Sequence, residues 1–199
     1  MVTNRQIERL WTAKGFTKLY QELVASRPES GFELQPNTTE GEAAAALAMI
    51  RLDELSQSYL PLYSRLIRAI LCKQQDDGGW GDLPTTALCL RALLAGNGDG
   101  LAIERGLEYL ASLQKEEGIW PAAPIRRLPE DPRVSLFILY QLGDHPRFRA
   151  AVDFSRAVSW FECNRHRLDA NLQSLWDRIR PRCGGYTRAA ELFPISSAA

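Results

Sequence analysis

The sequence predicts an all-α fold made of repeated helical hairpins, and two observations support this prediction. A seven-residue motif, Q-x-x-[D/E]-G-x-W, occurs at residues 74–80 and again 40 residues later at 114–120. The segments around it carry apolar residues at helical spacing, and no segment shows the alternation typical of a β-strand. A fixed period of this size indicates an array of similar helical units.

The repeat extends beyond the motif and defines the unit. The match includes residues on both sides, first at an offset of 40 and then, after a longer insertion, at 47. Each unit therefore reads helix, motif turn, helix and glycine stop. Trp160 lies 40 residues after Trp120, but its surroundings resemble the helix around Tyr109, so we interpret this spacing as chance. The matched positions are Arg65 with Arg105, Ile67 with Leu107, Ile70 with Leu110, Pro84 with Pro124, residues 87–90 with 134–137, and Gly96 with Gly143.

The first half of the chain predicts three helices. Apolar periodicity indicates a helix over residues 4–25, which the Pro- and Gly-containing stretch 27–31 ends. Thr39 with Glu42 three residues later forms a predicted capping box. The alanine-rich segment 42–54 follows, and its small side chains predict a closely packed inner helix. The third helix is predicted over residues 60–74.

The remaining elements follow from caps and breaks. Thr85 or Thr86 is the predicted cap of a helix that reaches Leu94, and four prolines exclude a continuous helix over residues 121–132. About eight helices in four hairpins form one domain over residues 1–199, with 184–199 as an irregular, frayed tail. The other predicted helices cover residues 101–114, 133–142, 146–163 and 168–179.

Composition narrows the possible functions. The chain has 24 basic and 24 acidic residues and a net charge of zero, so no overall field attracts it to nucleic acid or an anionic membrane. The longest apolar run, 43–50, is too short for a transmembrane segment, and the polar residues 1–9 do not resemble a signal peptide. Four irregularly spaced cysteines predict reduced thiols in a cytoplasmic protein.

Each motif residue has a predicted structural role. The glutamine bonds to free carbonyls at a helix end or reaches the next unit, and the glycine permits a tight turn. The acidic residue accepts N–H groups of the following helix, while the tryptophan covers the outer surface of the turn and stacks on the glutamine amide. The motif is thus predicted to connect hairpins, through Gln74, Asp77, Gly78, Trp80, Gln114, Glu117, Gly118 and Trp120.

The two motif copies resemble the QW repeat of squalene–hopene and oxidosqualene cyclases, and are similar to the repeats of protein prenyltransferase β subunits. Weaker copies stand at Gly31 and Phe32 and at Gly184, Gly185 and Tyr186. The resemblance implies an α/α toroid around an apolar cavity. Because this chain is shorter than a closed toroid, it predicts an incomplete α/α barrel, an arc that its own termini cap or that a second copy or another protein completes.

The resemblance also implies where catalytic residues would lie. The D-x-D-D acid motif of the cyclases is absent from the sequence. Asp76 and Asp77 begin a partial D-D-x-x-D magnesium motif with Trp80 in its fifth position, and Asp82 follows. Cys163, His166 and Asp169, with Cys183 downstream, are candidate zinc ligands. The structural alternatives are the repeat motif itself for the aspartates, and a buried Cys163 with an exposed His166.

Three functional hypotheses follow. The first is a module without a complete catalytic site or cofactor that binds a partner protein or an apolar, isoprenoid-like ligand. The second is an isoprenoid cyclase or prenyltransferase using magnesium or zinc, and the third is a purely structural or regulatory protein. Aromatic side chains facing a cavity would stabilise carbocations and favour the enzyme, although they are equally typical of a core. They are Tyr59, Tyr63, Phe137, Tyr140, Trp160 and Phe161.

Overall fold

The computed structural model describes residues 39–96 and 98–184, and these residues form an all-α structure. Within them the only β-type contact is an isolated bridge between Pro121 and Glu130. A short 3-10 helix spans Arg165–Arg167. The predicted all-α class is confirmed. The eight described α-helices are α1 (Thr39–Glu54), α2 (Pro61–Leu71), α3 (Leu83–Ala95), α4 (Gly100–Leu113), α5 (Pro132–Leu142), α6 (Pro146–Ala151), α7 (Phe154–Asn164) and α8 (Ala170–Cys183).

Helices α1, α3, α5 and α8 pack in series, each against the next. Helix α2 packs on α1, α4 packs on α3, and α7 packs on α8, so a second set of helices flanks the series. The alanine-rich α1 has Ala43 and Ala46 fully buried and contacts both α2 and α3, which confirms its predicted inner position. A small side chain at these positions lets neighbouring helices approach closely. Closure of this series into a toroid stays a prediction.

The helix predicted over residues 146–163 is two helices, because the chain breaks at Val152 and Asp153. Asp153 caps α7: its Oδ1 accepts the N–H of Arg156 at 3.1 Å. Its own N–H donates to Oε1 of Gln114 at 2.8 Å. The break is thus stabilised by a residue 39 positions earlier, and helical periodicity alone does not reveal it.

Aspartates, and not the predicted threonines, cap the two inner helices that follow the motifs. Asp82 Oδ1 accepts the N–H of Thr85 at 2.7 Å, and Asp131 caps α5 in the same way. The starts of α3 and α5 are therefore 49 residues apart, while their terminal glycines, Gly96 and Gly143, are 47 apart. Because α5 is shorter than α3, residues 87–90 correspond to 136–139, and the sequence match to 134–137 is wrong.

One ion-pair cluster joins the far ends of three inner helices. Asp144, just after α5, pairs with Arg91 of α3 at 3.4 Å and with Arg182 of α8 at 2.6 Å. The guanidinium of Arg182 also lies over the ring of Tyr140, 5.1 Å from its centroid. Burial on its own would raise the pKa of Asp144, but the hydrogen bond and charge of Arg182, together with Arg91, outweigh it and lower the pKa.

The variant Asp144→Asn is expected to be less stable than the parent by about 0.5–1 kcal/mol at pH 7, a small effect because the cluster is partly exposed to solvent. A lowered folded-state pKa contributes stability above the unfolded value, near 4, and this contribution disappears as pH falls through the folded pKa. Urea unfolding of both proteins between pH 7 and pH 3 measures the difference. A difference that is constant over this range would contradict the assignment.

Several sequence predictions fall outside the described residues. They are the helix over 4–25, the side chain of Thr39 as a cap, the weaker motif copy at Gly31 and Phe32, and the tail from Gly185 onward. Helix α1 nevertheless begins at Thr39, close to the predicted start. In the ranges that the structure covers, no helix has both the length and the apolar character needed to cross a bilayer.

Candidate functional site

The two motif copies form turns of the same geometry, here named turn 1 (residues 74–80) and turn 2 (residues 114–120). In turn 1, Nε2 of Gln74 donates to the carbonyl of Gly78 at 2.9 Å and to that of Ala102 in α4 at 2.8 Å. The first bond closes the turn, and the second attaches it to the following hairpin. The predicted contact of the glutamine with the next unit is confirmed.

Turn 2 repeats this arrangement and adds one hydrogen bond. Nε2 of Gln114 donates to Gly118 O at 2.7 Å and to Asp153 O at 3.0 Å. Its Oε1 accepts the Asp153 N–H, so the amide and this peptide unit are bonded in both directions. Because Asp153 is also the cap of α7, turn 2 determines where that helix begins.

Replacing Gln114 with alanine is expected to lower the free energy of unfolding by about 2–3 kcal/mol, since three hydrogen bonds to the backbone are lost from a buried position. Gln74→Ala is the matched control, with two such bonds at a less buried site, and is expected to cost about 1–2 kcal/mol. Urea denaturation measures both. A Gln114 variant no less stable than the Gln74 variant would contradict the role of the Asp153 contact.

Positive φ angles and close approach both require glycine at the centre of each turn. Gly78 has φ +92° and Gly118 has φ +97°, a region that other residues rarely adopt. A Cβ at Gly78 would lie 2.4 Å from Arg105 O, and one at Gly118 would lie 2.6 Å from the carbonyl carbon of Arg156. The glycines therefore let each turn contact the backbone of the next outer helix.

An arginine on that helix completes each contact. Nη2 of Arg105 donates to the carbonyls of Gln75 at 3.0 Å and Asp76 at 2.9 Å. In turn 2, Nη1 of Arg156 donates to Glu116 O at 2.9 Å. Sequence analysis did not assign these arginines a role. The match of Arg105 with Arg65 was the available signal, because it placed an arginine at a repeated position.

The tryptophans lie inside the fold, so their predicted place on the outer surface is wrong. Trp80 is 2% exposed and Trp120 is fully buried. Their indole N–H groups donate to Ile70 O and Leu110 O, each at 2.8 Å. These acceptors are the pair that the 40-residue offset had matched. Each tryptophan thus anchors its turn to the helix that precedes it.

The acidic residues of turn 1 are committed to local structure. Asp77 Oδ1 accepts the N–H of Gly79 at 2.9 Å, which lies within the turn and not in the following helix as predicted. Asp82 caps α3, and Asp76 is exposed. Among the residues that the structure describes, no three His, Cys, Asp or Glu side chains are grouped so that they could hold a metal ion. Asp76, Asp77 and Asp82 are therefore not assembled as a three-ligand set.

The candidate zinc ligands are also placed apart by the fold. Cys163 is exposed near the end of α7, so its predicted burial is wrong, while the exposed His166 is as predicted. The helix ends at Asn164, and His166 lies in the 3-10 helix. Asp169 caps α8 and pairs with Arg133 at 3.3 Å. Cys183 is buried, and burial raises the pKa of its thiol to about 11.

Most of the candidate aromatic residues belong to the core. Tyr63, Phe137 and Phe161 are buried, and Phe161 stacks on Trp176 with ring centroids 5.0 Å apart. Tyr140 and Trp160 are partly buried, whereas Tyr59 is 78% exposed. Trp160 stands one position after the middle of α7, as Tyr109 does in α4, which agrees with the interpretation of its spacing as chance.

Comparisons with protein-family models, with curated protein sequences and with solved structures give no match for this chain.

Proposed function

We propose that this protein is a helical-repeat binding module without a complete catalytic site, whose ligand is a partner protein. The observation that carries the proposal is the use of the turn side chains. The amides of Gln74 and Gln114 and the carboxylates of Asp77 and Asp82 all bond to the protein's own backbone. Backbone N–H bonds favour the charged form of a carboxylate, so Asp77 and Asp82 are poorly suited to protonate an alkene.

The chemistry of the exposed cluster supports a protein partner over an apolar, isoprenoid-like ligand. Arg91, Asp144, Arg182 and Tyr140 connect the ends of α3, α5 and α8, and their side chains are partly exposed. Tyrosine and arginine are enriched at protein interfaces, and an arginine pair suits a partner that presents carboxylates. An isoprenoid chain would instead need an apolar surface.

The serial packing of α1, α3, α5 and α8 supports an arc of hairpins of the α/α-toroid kind. In such an arrangement each unit contacts its neighbours, and the end units need a covering partner. A second copy of the chain or another protein would complete the ring. The four free thiols, two of them exposed, support a reducing cytoplasmic location.

Native mass spectrometry of the freshly purified full chain tests the binding class. We expect a mass without isoprenoid, zinc or magnesium. A co-purified isoprenoid would overturn the proposal and favour the alternative, an isoprenoid cyclase or prenyltransferase with an atypical site. In that case Asp76, Asp77, Asp82, Cys163 and His166 become the residues to replace.

A charge-reversal pair tests the interface itself. Partners recovered with the parent protein are expected to be lost with Arg91→Glu and kept with Arg178→Glu, which reverses an exposed arginine of α8 outside the cluster. Circular dichroism confirms that both variants are folded. Equal recovery with the two variants would remove the cluster from the proposed interface.

A further inference from the structure

Helix α2 carries the same acceptor positions as α4, in the same register. The offset of 40 is fixed by Gln74 and Gln114 and by the two indole acceptors, Ile70 and Leu110. On α4 the face that meets turn 1 includes Ala102, whose carbonyl accepts from Gln74, and Arg105, which donates to the turn. The ring of Tyr109 packs on Gly79 of the same turn. The equivalent positions on α2 are Leu62, Arg65 and Ala69.

These equivalent faces differ in exposure. Ala102 and Tyr109 are buried and Arg105 is partly buried, whereas Leu62 is partly buried and Arg65 and Ala69 are exposed. Among described residues Arg65 has no hydrogen-bond or ion-pair partner, although its counterparts Arg105 and Arg156 both bind turn carbonyls. The α2 face therefore has the form of an acceptor for a turn, and no described residue supplies one.

We propose that residues 29–32 of the same chain form a third turn of this type and cover the α2 face around Arg65. Their sequence, Glu-Ser-Gly-Phe, matches Asp-Gly-Gly-Trp at 77–80 as acidic, small, glycine and aromatic. The segment precedes α1 as turn 1 precedes α3. Phe32 lies 7 residues before Thr39, between the 3 residues from Trp80 to Leu83 and the 12 from Trp120 to Pro132.

A second copy of the chain does not fit this face as well. Turn 1 is occupied by α4 of its own chain, and turn 2 is occupied by α7. A second copy would have to break one of these contacts to supply a turn to α2. The segment 29–32 is the remaining acidic-small-Gly-aromatic sequence ahead of α1, and the intervening residues can extend by roughly 20 Å.

A designed disulfide tests this placement. A Cβ built at Gly78 lies 3.3 Å from the Cβ of Arg105, close to the separation in disulfides, about 3.5–4.5 Å. By equivalence, Ser30→Cys and Arg65→Cys are expected to form an intramolecular disulfide. The exposed Cys72 and Cys163 are first replaced by serine. The control pairs Ser30→Cys with Arg68→Cys, an exposed position one turn further along α2.

Mass spectrometry after mild oxidation gives the result. We expect about tenfold more intramolecular crosslink in the 30–65 pair than in the 30–68 pair. Equal crosslinking in both pairs, or a 30–65 crosslink between two chains, would overturn the proposal, the latter in favour of a dimer.

A melting experiment on a single variant provides the second readout. Ser30 stands where turns 1 and 2 have a glycine with positive φ, so Ser30→Gly is expected to raise the melting temperature by about 2–4 °C. At an ordinary loop position a new glycine lowers it. A lower melting temperature, even if the cysteine pairs fail to fold, contradicts the third turn.

Discussion

Replacing Trp120 with alanine is expected to lower the free energy of unfolding by about 3–5 kcal/mol. The indole is fully buried, its ring lies 6.1 Å from that of Phe148, and its N–H donates to Leu110 O at 2.8 Å. Truncation leaves a cavity beside the core and removes the donor of a buried carbonyl. Both losses occur where turn 2 joins α4, so the variant should also unfold more readily at low urea.

Two further variants separate the contributions to this loss. Trp120→Phe keeps an aromatic ring but removes the donor to Leu110, and we expect a loss of about 1–3 kcal/mol. Tyr59→Ala removes an aromatic ring that is 78% exposed, and its effect should stay within about 0.5 kcal/mol. Urea midpoints with unchanged slopes measure all three. A Trp120→Ala protein as stable as Tyr59→Ala would show that the turn does not anchor the fold.

The sequence predicted the repeat because each motif residue type answers a local requirement. A glycine at positive φ, a buried indole and an amide that both donates and accepts leave a recognisable pattern at a fixed spacing. The class of the fold, the inner position of α1 and the contact of Gln74 with the next unit followed from that pattern. Local chemistry was sufficient for these features.

Other features depended on partners distant in sequence. The break at Asp153 lies inside a segment with continuous helical periodicity, and it is stabilised by Gln114 from 39 residues away. The inward position of Trp80 depends on the acceptor at Ile70, which an isolated turn does not reveal. A signal for the break was present, since aspartate is a common N-cap, but a single aspartate does not decide between a cap and a surface position.

The candidate catalytic residues show why motif matching alone misled. Asp76, Asp77 and Asp82 are close in sequence and resemble part of a metal motif. The turn uses two of them for different backbone contacts, one within the turn and one at the start of α3. A carboxylate near a glycine-rich turn serves folding as well as chemistry, and the hydrogen-bond partner distinguishes the two roles.

The repeated turns also suggest how stability is distributed along the chain. Each turn bonds to the helix before it through tryptophan and to the outer helix after it through glutamine and, from that helix, arginine. Neighbouring units are thereby connected in sequence, as in solenoid proteins, where stability is close to a sum of unit and interface contributions. Loss of one turn should therefore weaken two adjacent hairpins together.

The variant Gly118→Ala is expected to lose about 2–4 kcal/mol of stability, from strain at positive φ and from overpacking. Gly118 has φ +97°, and an added Cβ would lie 2.6 Å from the carbonyl carbon of Arg156 and 2.8 Å from the nitrogen of Ala157. Both are backbone atoms at the start of α7, so no side chain can move aside, and the contact between turn 2 and α7 must open. Gly100→Ala is the matched control: a Cβ there meets no atom within 4 Å, and the residue begins α4. Alanine at Gly100 should instead stabilise by about 0.4–1 kcal/mol. Thermal and urea unfolding of the two variants therefore give opposite signs if backbone contact, and not glycine content, determines the stability of the repeat.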